Sequence, residues 1–197
     1  IAANMALVTA VMLFILTTHS RDFALMVMQR EHLEKVNRET QRLSDDNRKL
    51  AHHDSLTGLP NRRSFIAQAE ARVAEFNAGT GRGFALGIID LDGFKAVNDL
   101  YGHATGDALL IEASRRMRDI AGPDVAFARL GGDEFGVIAG EKVDLLAFGR
   151  TLCEVLRQPY ELDDVIAEVT SSCGFAEFGS HCSTTHELFE HADYALY

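Results

Sequence analysis

Two short acidic clusters carry the residue types that can hold a metal ion. Asp90 closes a strongly apolar run, Phe84–Leu91, and Asp92 follows two residues later on the same face of an extended chain. Further on, Gly131-Gly132-Asp133-Glu134 joins two strand-like runs. A carboxylate at the end of a buried strand is tolerated only where it reaches solvent or a cation. If the two runs lie side by side, Asp90 and Asp133 converge. Two carboxylates brought close repel unless a hard divalent cation joins them, and an oxygen-only donor set suits Mg²⁺, with Mn²⁺ as a substitute. Acidic tips on adjacent strands hold metals for in-line phosphoryl or nucleotidyl transfer. The paired glycines allow positive φ and the close approach of a bulky ligand. Taken alone, the same acids also fit an ordinary acidic, turn-rich surface.

Between the clusters runs Gly93-Phe94-Lys95-Ala96-Val97-Asn98-Asp99-Leu100-Tyr101-Gly102-His103-Ala104-Thr105-Gly106-Asp107. Gly93 and Phe94 can open a helical turn whose free N–H groups face a polyphosphate, with Lys95 meeting the same charge. Asn98 and Asp107 supply an amide and a carboxylate. A carboxylate accepts from the N1–H and N2–H₂ of guanine, which adenine lacks. Both residue types also cap helices, which is the plainer account of them. His103 stands between glycines as a loop hydrogen-bonder, and His52 and His53 read as a hinge before Asp54.

The elements that must position these groups alternate. Asn61–Asn77 places Phe65, Ala69, Val73 and Phe76 on one helical face. Phe84–Leu91 is continuous enough in apolar character to be a central strand. Gly106–Ile120 is a second helix, with Leu109, Leu110, Ala113, Met117 and Ile120 inward. Val125–Leu130 and Phe135–Ala139 form a hairpin across the Gly-Gly turn. Val143–Arg157 is a helix ended by Pro159, and Tyr160–Leu162 with Val165–Phe178 reads as a second hairpin. Thr184–Glu187 is a capping box for a last helix. The pattern predicts an α+β fold with an antiparallel-centred sheet and helices on one face. Its core is a ferredoxin-like or palm-like βαββαβ unit, preceded by a long N-terminal helix.

The chain has 197 residues, 19 basic and 29 acidic, for a net charge of −10. That balance argues against nucleic acid as a partner, because a phosphate backbone seeks a basic face. The apolar fraction of 47% supports a buried core. Three cysteines with no CxxC favour neither a disulfide framework nor a zinc knuckle, and read as free thiols in a reducing cytoplasm. Ile1–Thr18 carries no charge and spans roughly 27 Å as a helix, so residues 1–20 are expected to be the end of a transmembrane helix. Arg21, Arg30, Lys35 and Arg38 place the C-terminal side of that helix in the cytoplasm, at a bacterial inner membrane. Leu33, Val36, Thr40, Leu43, Asn47 and Leu50 repeat in a heptad pattern, predicting a coiled-coil linker over residues 21–53. Asn47 at a buried position favours a parallel two-stranded register and hence a homodimer. A soluble amphipathic linker helix is the simpler alternative. The chain starts on Ile1 and stops inside an apparent helix, so it reads as a piece open at both ends.

The motifs together resemble the GGDEF domain of the diguanylate cyclase family. The resemblance rests on Arg129-Leu130-Gly131-Gly132-Asp133-Glu134-Phe135, on Asp54-Ser55-Leu56-Thr57-Gly58-Leu59-Pro60-Asn61-Arg62, and on the segment from Asp90 to Asp107. It also rests on Thr170-Ser171-Ser172-Cys173-Gly174 and on Ala192-Asp193-Tyr194-Ala195-Leu196-Tyr197. It covers residues 54–197. The resemblance implies condensation of two GTP into cyclic di-GMP with release of pyrophosphate, at the interface of two domains. It implies Mg²⁺ held by Asp90, Asp133 and the Leu91 carbonyl, with Asp133 as proton acceptor and Glu134 beside the metal. Phe94 and Lys95 would meet phosphates, Lys95 steadying transition-state charge. Asn98, His103 and Asp107 would bind the nucleotide, with Gly131 and Gly132 leaving it room. The alternative is a catalytically silent GTP-binding GGDEF domain that regulates a neighbouring phosphodiesterase domain.

Two departures from the family pattern stand out. A Lys and an Arg that usually follow the closing motif lie past Tyr197. Many members also carry an Arg-x-x-Asp product-inhibition site ahead of the Gly-Gly pair, and the corresponding residues here are Gly122 and Val125. The bidentate guanidinium and its carboxylate partner are missing. Micromolar cyclic di-GMP is therefore expected to leave turnover by the dimeric domain unchanged. Suppression in a GTP-turnover assay would refute this.

Overall fold

The computed structural model describes residues 12, 16, 35–39, 51–179 and 182–196. The chain divides into two units, Ile1–Lys49 and Leu50–Tyr197. In the first, Met12, Leu16 and residues 35–39 are helical. Among the described residues no helix is long and apolar enough to cross a membrane. The span expected over residues 1–20 and most of the coiled coil expected over 21–53 lie outside the described residues.

The second unit runs α1 (Arg62–Asn77), β1 (Phe84–Asp92), α2 (Phe94–Tyr101), α3 (His103–Ile120), β2 (Val125–Gly131), β3 (Glu134–Gly140), α4 (Leu145–Leu156), β4 (Tyr160–Leu162), β5 (Val165–Ala167), β6 (Thr170–Glu177) and α5 (Thr185–Tyr194). Four strands form one sheet in the order β2-β3-β1-β6, and every neighbouring pair is antiparallel. This is the expected βαββαβ topology, with α2 and α3 in the first crossover and α4 in the second.

β1 is central because its sequence leaves it no polar face. Leu86, Ile89 and Leu91 are fully buried and Ile88 nearly so, each contributing on the order of 1.5–3 kcal/mol. Ile89 and Leu91 face the layer made by Phe94 and Val97 of α2, Leu109 and Met117 of α3 and Leu152 of α4. Leu86 and Ile88 face Phe65 and Ala69 of α1 and Leu188 and Ala192 of α5. The sheet is thus covered on both faces, not one. The crossover helices take the first face, and the two flanking helices close the second.

Other boundaries shift for local reasons. Asn61 stands outside α1 as its N-cap, its Oδ1 accepting from the Ser64 N–H at 3.0 Å. Ser64 and Phe65 begin the buried face, and Phe76 stays exposed. The sequence pattern predicts only a helical turn after Gly93 and a start for the next helix at Gly106. Instead α2 has 8 residues and α3 starts at His103. The second hairpin is shorter than expected. β5 pairs only with β4, and after Glu168 and Val169 the chain re-enters the main sheet as β6 beside β1. Thr184 caps α5 as expected, but the Glu187 carboxylate reaches back to the Ser183 N–H instead of that of Thr184.

Arg116 of α3 holds the end of α4 in place. Its guanidinium donates to the carbonyls of Val155, Gln158 and Pro159 at 3.2, 2.6 and 2.7 Å, and stacks 3.9 Å above the Tyr160 ring. These carbonyls lie at and past the last helical turn, where no backbone partner remains. Arg116→Ala is expected to cost about 3 kcal/mol, read as a lower urea midpoint at unchanged slope.

Candidate functional site

The acidic clusters meet because β1 pairs with β3. In that register Asp90 stands directly opposite Glu134, and Ile89 opposite Phe135. Directly opposed residues share a sheet face, so Glu134 lies on the same side as Asp90 and Ile88. The turn residue Asp133 is tied to the same place by its carbonyl, which accepts from the Leu91 N–H at 3.4 Å. The turn is built on Gly131 and Gly132, with φ of 148° and 55°.

Electrostatics register the crowding. Burial, and then the negative charges of Asp133, Asp92 and Glu134 in that order, push the Asp90 carboxyl above the ordinary carboxylate value. The donors are oxygen only, and such a set fits a hard divalent cation. Among the described residues no three carboxylate, histidine or cysteine side chains form a ready-made metal cluster. Two carboxylates with a backbone carbonyl fit that finding, since Mg²⁺ keeps positions for water and substrate phosphates.

Asp92 is not available in the same way. It accepts from Thr170 Oγ1 at 2.9 Å and from Ser172 Oγ at 3.1 Å, both on β6. The acidic clusters alone point to neither hydroxyl. The alternating Thr-x-Ser spacing, which puts both on one strand face, is the signal for them.

Next to Asp92, Gly93 takes φ of 82° and precedes α2 with no side chain to cap it. The leading N–H groups of α2, at Phe94 and Lys95, are thereby left for an anion. Phe94 is buried with its ring in the core, and Lys95 is exposed. At the other end of the segment, Asn98 packs against Gly106. A Cβ on Gly106 would collide with the Asn98 amide, so the glycine is what lets Asn98 lie beside the turn of α3 that carries Asp107. Capping does not explain either polar residue, because the N-cap positions of α2 and α3 are Gly93 and Gly102. His103 is exposed at the first position of α3.

Arg129 fastens the turn to the start of the domain. Its Nε and NH2 donate to the Gly132 carbonyl at 3.1 and 2.8 Å, and its NH1 to both oxygens of Asp54 at 3.0 and 3.2 Å. Burial works against the Asp54 charge. The Thr57 hydroxyl and N–H, together with Arg129, nevertheless hold its carboxyl below the ordinary value. Asn61 donates to the Ala51 and His53 carbonyls, and His52 pairs with Ser64 Oγ at 3.2 Å. The two histidines therefore knit the junction together. Beside Glu134, an open cleft of about 520 Å³ runs between α1 and α5, lined by Arg62, Glu70, Phe189 and Asp193 among others.

The profile described as "Diguanylate cyclase, GGDEF domain" matches residues 51–197. MucR of Pseudomonas aeruginosa, named a bifunctional diguanylate cyclase/cyclic di-GMP phosphodiesterase, is 41% identical over 150 residues, which are 75% of this chain and 22% of MucR. Diguanylate cyclase TpbB of the same species is 36% identical over 163 residues, 79% of this chain and 37% of TpbB. The chain thus spans well under half of either curated relative. The solved structure of the coiled coil and GGDEF domain of DgcB from Caulobacter crescentus, in complex with c-di-GMP, has a TM-score of 0.74 at 29% identity. It covers 88% of this chain and 92% of that one.

The raised Asp90 carboxyl makes a prediction about pH and metal. A group whose folded value exceeds its unfolded value binds more proton in the folded state, so stability falls as pH rises through that window. Asp90→Asn removes the penalty. Without metal at pH 7 the variant is expected to be more stable by on the order of 0.5 kcal/mol, discounted for solvent screening. It is also expected to lose the melting-temperature increase that Mg²⁺ or Mn²⁺ gives the parent. A variant that gains no stability, or still responds to the metal, contradicts this account.

Proposed function

The chain belongs to the GGDEF family of diguanylate cyclase domains, and from that premise we propose that it condenses two GTP into cyclic di-GMP, releasing pyrophosphate, with Mg²⁺ as cofactor. The observation that carries the reading is the crowded tip of β1, where Asp90 faces the Gly131-Gly132-Asp133-Glu134 turn beside the uncapped start of α2.

Asp90, Asp133 and the Leu91 carbonyl would hold the ion. When bound, it neutralises charge on the triphosphate and its pyrophosphate leaving group. Asp133 accepts the proton of the 3′-hydroxyl, and Glu134 adds negative charge beside it. The N–H groups at Phe94 and Lys95 grip phosphate oxygens, and the Lys95 ammonium faces the charge that builds at the attacked phosphorus. Asn98 and Asp107 read the guanine edge, with His103 at the rim, and Gly131 and Gly132 leave room for the ribose. Each GTP must be attacked by the 3′-hydroxyl of the other, so two domains face each other with one GTP apiece. The coiled coil expected over residues 21–53 would supply the second domain at high effective concentration. The span expected over residues 1–20 would hold the pair on the cytoplasmic side of the inner membrane.

A second reading is a silent GTP-binding domain serving a phosphodiesterase neighbour, as MucR's bifunctional name suggests for that protein. Incubation with Mg²⁺ and GTP separates the two. Asp133→Ala is expected to lower cyclic di-GMP formation by about 10³-fold or more while GTP affinity stays within about threefold. GTP binding without product in the parent protein favours the silent module, and neither binding nor product overturns both.

A further inference from the structure

Two of the three cysteines, twenty residues apart in sequence, meet in space. Cys153 on α4 and Cys173 on β6 place their Sγ atoms 3.7 Å apart. Cys153 Sγ also lies 3.5 Å from the Ser171 carbonyl. The approach is built into the helix. Gly149, one turn before Cys153 on the same face, would bring a Cβ to 3.2 Å from the Phe175 ring and 3.5 Å from Cys173 Sγ. A side chain there would push α4 away from β6. Both thiols are half-buried and line an open apolar groove of about 460 Å³, so a small reagent can reach them. The third cysteine, Cys182, is buried elsewhere against His191.

We propose that Cys153 and Cys173 form a redox site, a dithiol that closes to an internal disulfide by exchange with a low-molecular-weight disulfide and thereby locks α4 onto β6. The sulfurs must approach by about 1.7 Å to reach the bonded distance of about 2.05 Å, a movement within the reach of side-chain rotation. Burial, with Cys153 beside it, pushes the Cys173 thiol up to about 12. Cys173 is therefore protonated at neutral pH, and Cys153 opens the exchange. In the first step the Cys153 sulfur attacks oxidised glutathione, forming a mixed disulfide and releasing one glutathione thiol. In the second, Cys173 sulfur attacks the Cys153 sulfur, the S–S bond to glutathione breaks, and the departing glutathione takes up the Cys173 proton. The protein loses two electrons and two protons, and one oxidised glutathione becomes two reduced ones. The lock would sit next to the acidic end of the sheet. Cys173 follows Ser172, whose hydroxyl holds Asp92, and lies opposite Ile89 in the β1–β6 ladder.

The proposal is independent of the cyclase reading, and its test involves no GTP. The chain is equilibrated with excess oxidised glutathione at pH 7.5, then denatured and alkylated. Cleavage at Arg157 and Glu177 separates the three cysteines. The expected result is a mass loss of two hydrogens, a cross-link joining only the Cys153 and Cys173 peptides, and an alkylated Cys182. Amide exchange across α4 and β6 is expected to slow by about tenfold and to recover with dithiothreitol. Cys173→Ser should stop at the glutathione adduct on Cys153 and keep the faster exchange. A parent protein that also stops at the adduct, or one that bridges with unchanged exchange in both elements, overturns the proposal.

Discussion

The site depends on one backbone pairing, the ladder in which Asp90 of β1 stands opposite Glu134 of β3. It forces carboxylates together that repel one another, and Asp90 carries the consequence in a carboxyl raised by burial and by its neighbours' charge. Nothing local favours that arrangement. It persists because the same ladder buries the rest of β1 between two helical layers. The strand's apolar body thus stabilises a tip that would not form by itself, and a cation that relieves the repulsion has a binding advantage already stored in the fold.

The surroundings sort the acids into different states. Asp92 stands two residues from Asp90 on the same face, yet Thr170 and Ser172 give it two hydroxyl donors. Asp54 is held charged by Thr57 and Arg129. Asp90 has no comparable donor and is the group most in need of a cation. The same division applies along the segment after β1. Glycines occupy both N-cap positions, so Asn98 and Asp107 are not consumed by capping, and Gly106 gives the Asn98 amide its place.

The features legible in the sequence are those that follow from local pattern. A continuous apolar run can only be a strand covered on both sides, so β1 belongs at the centre, and the Gly-Gly turn between two such runs implies the hairpin. The covering of the second face follows from the same run, yet the pattern hides it because α1 and α5 lie outside the βαββαβ core in sequence. The split of Val165–Phe178 into β5 and β6 is not legible, since period-two alternation says a strand exists and nothing about its partner. Arg116, the Asp92 hydroxyls and the Cys153–Cys173 approach share that limit. Each joins residues brought together only by tertiary packing.

Arg129 shows why such through-space links matter for the site. One guanidinium serves the Gly132 carbonyl in the turn and the Asp54 carboxylate at the domain's first loop. Its backbone N–H donates to the Pro60 carbonyl, and Asn61 forms a bridge with it just before α1. Two glycines make the turn conformationally permissive, which suits close approach of a ligand but fixes nothing. Its rigidity has to come from outside the turn. A planar fork of donors with low residual exposure is the group that can impose it, because all its bonds hold one orientation at once. The position of Asp133 is therefore set by the junction as much as by the sheet.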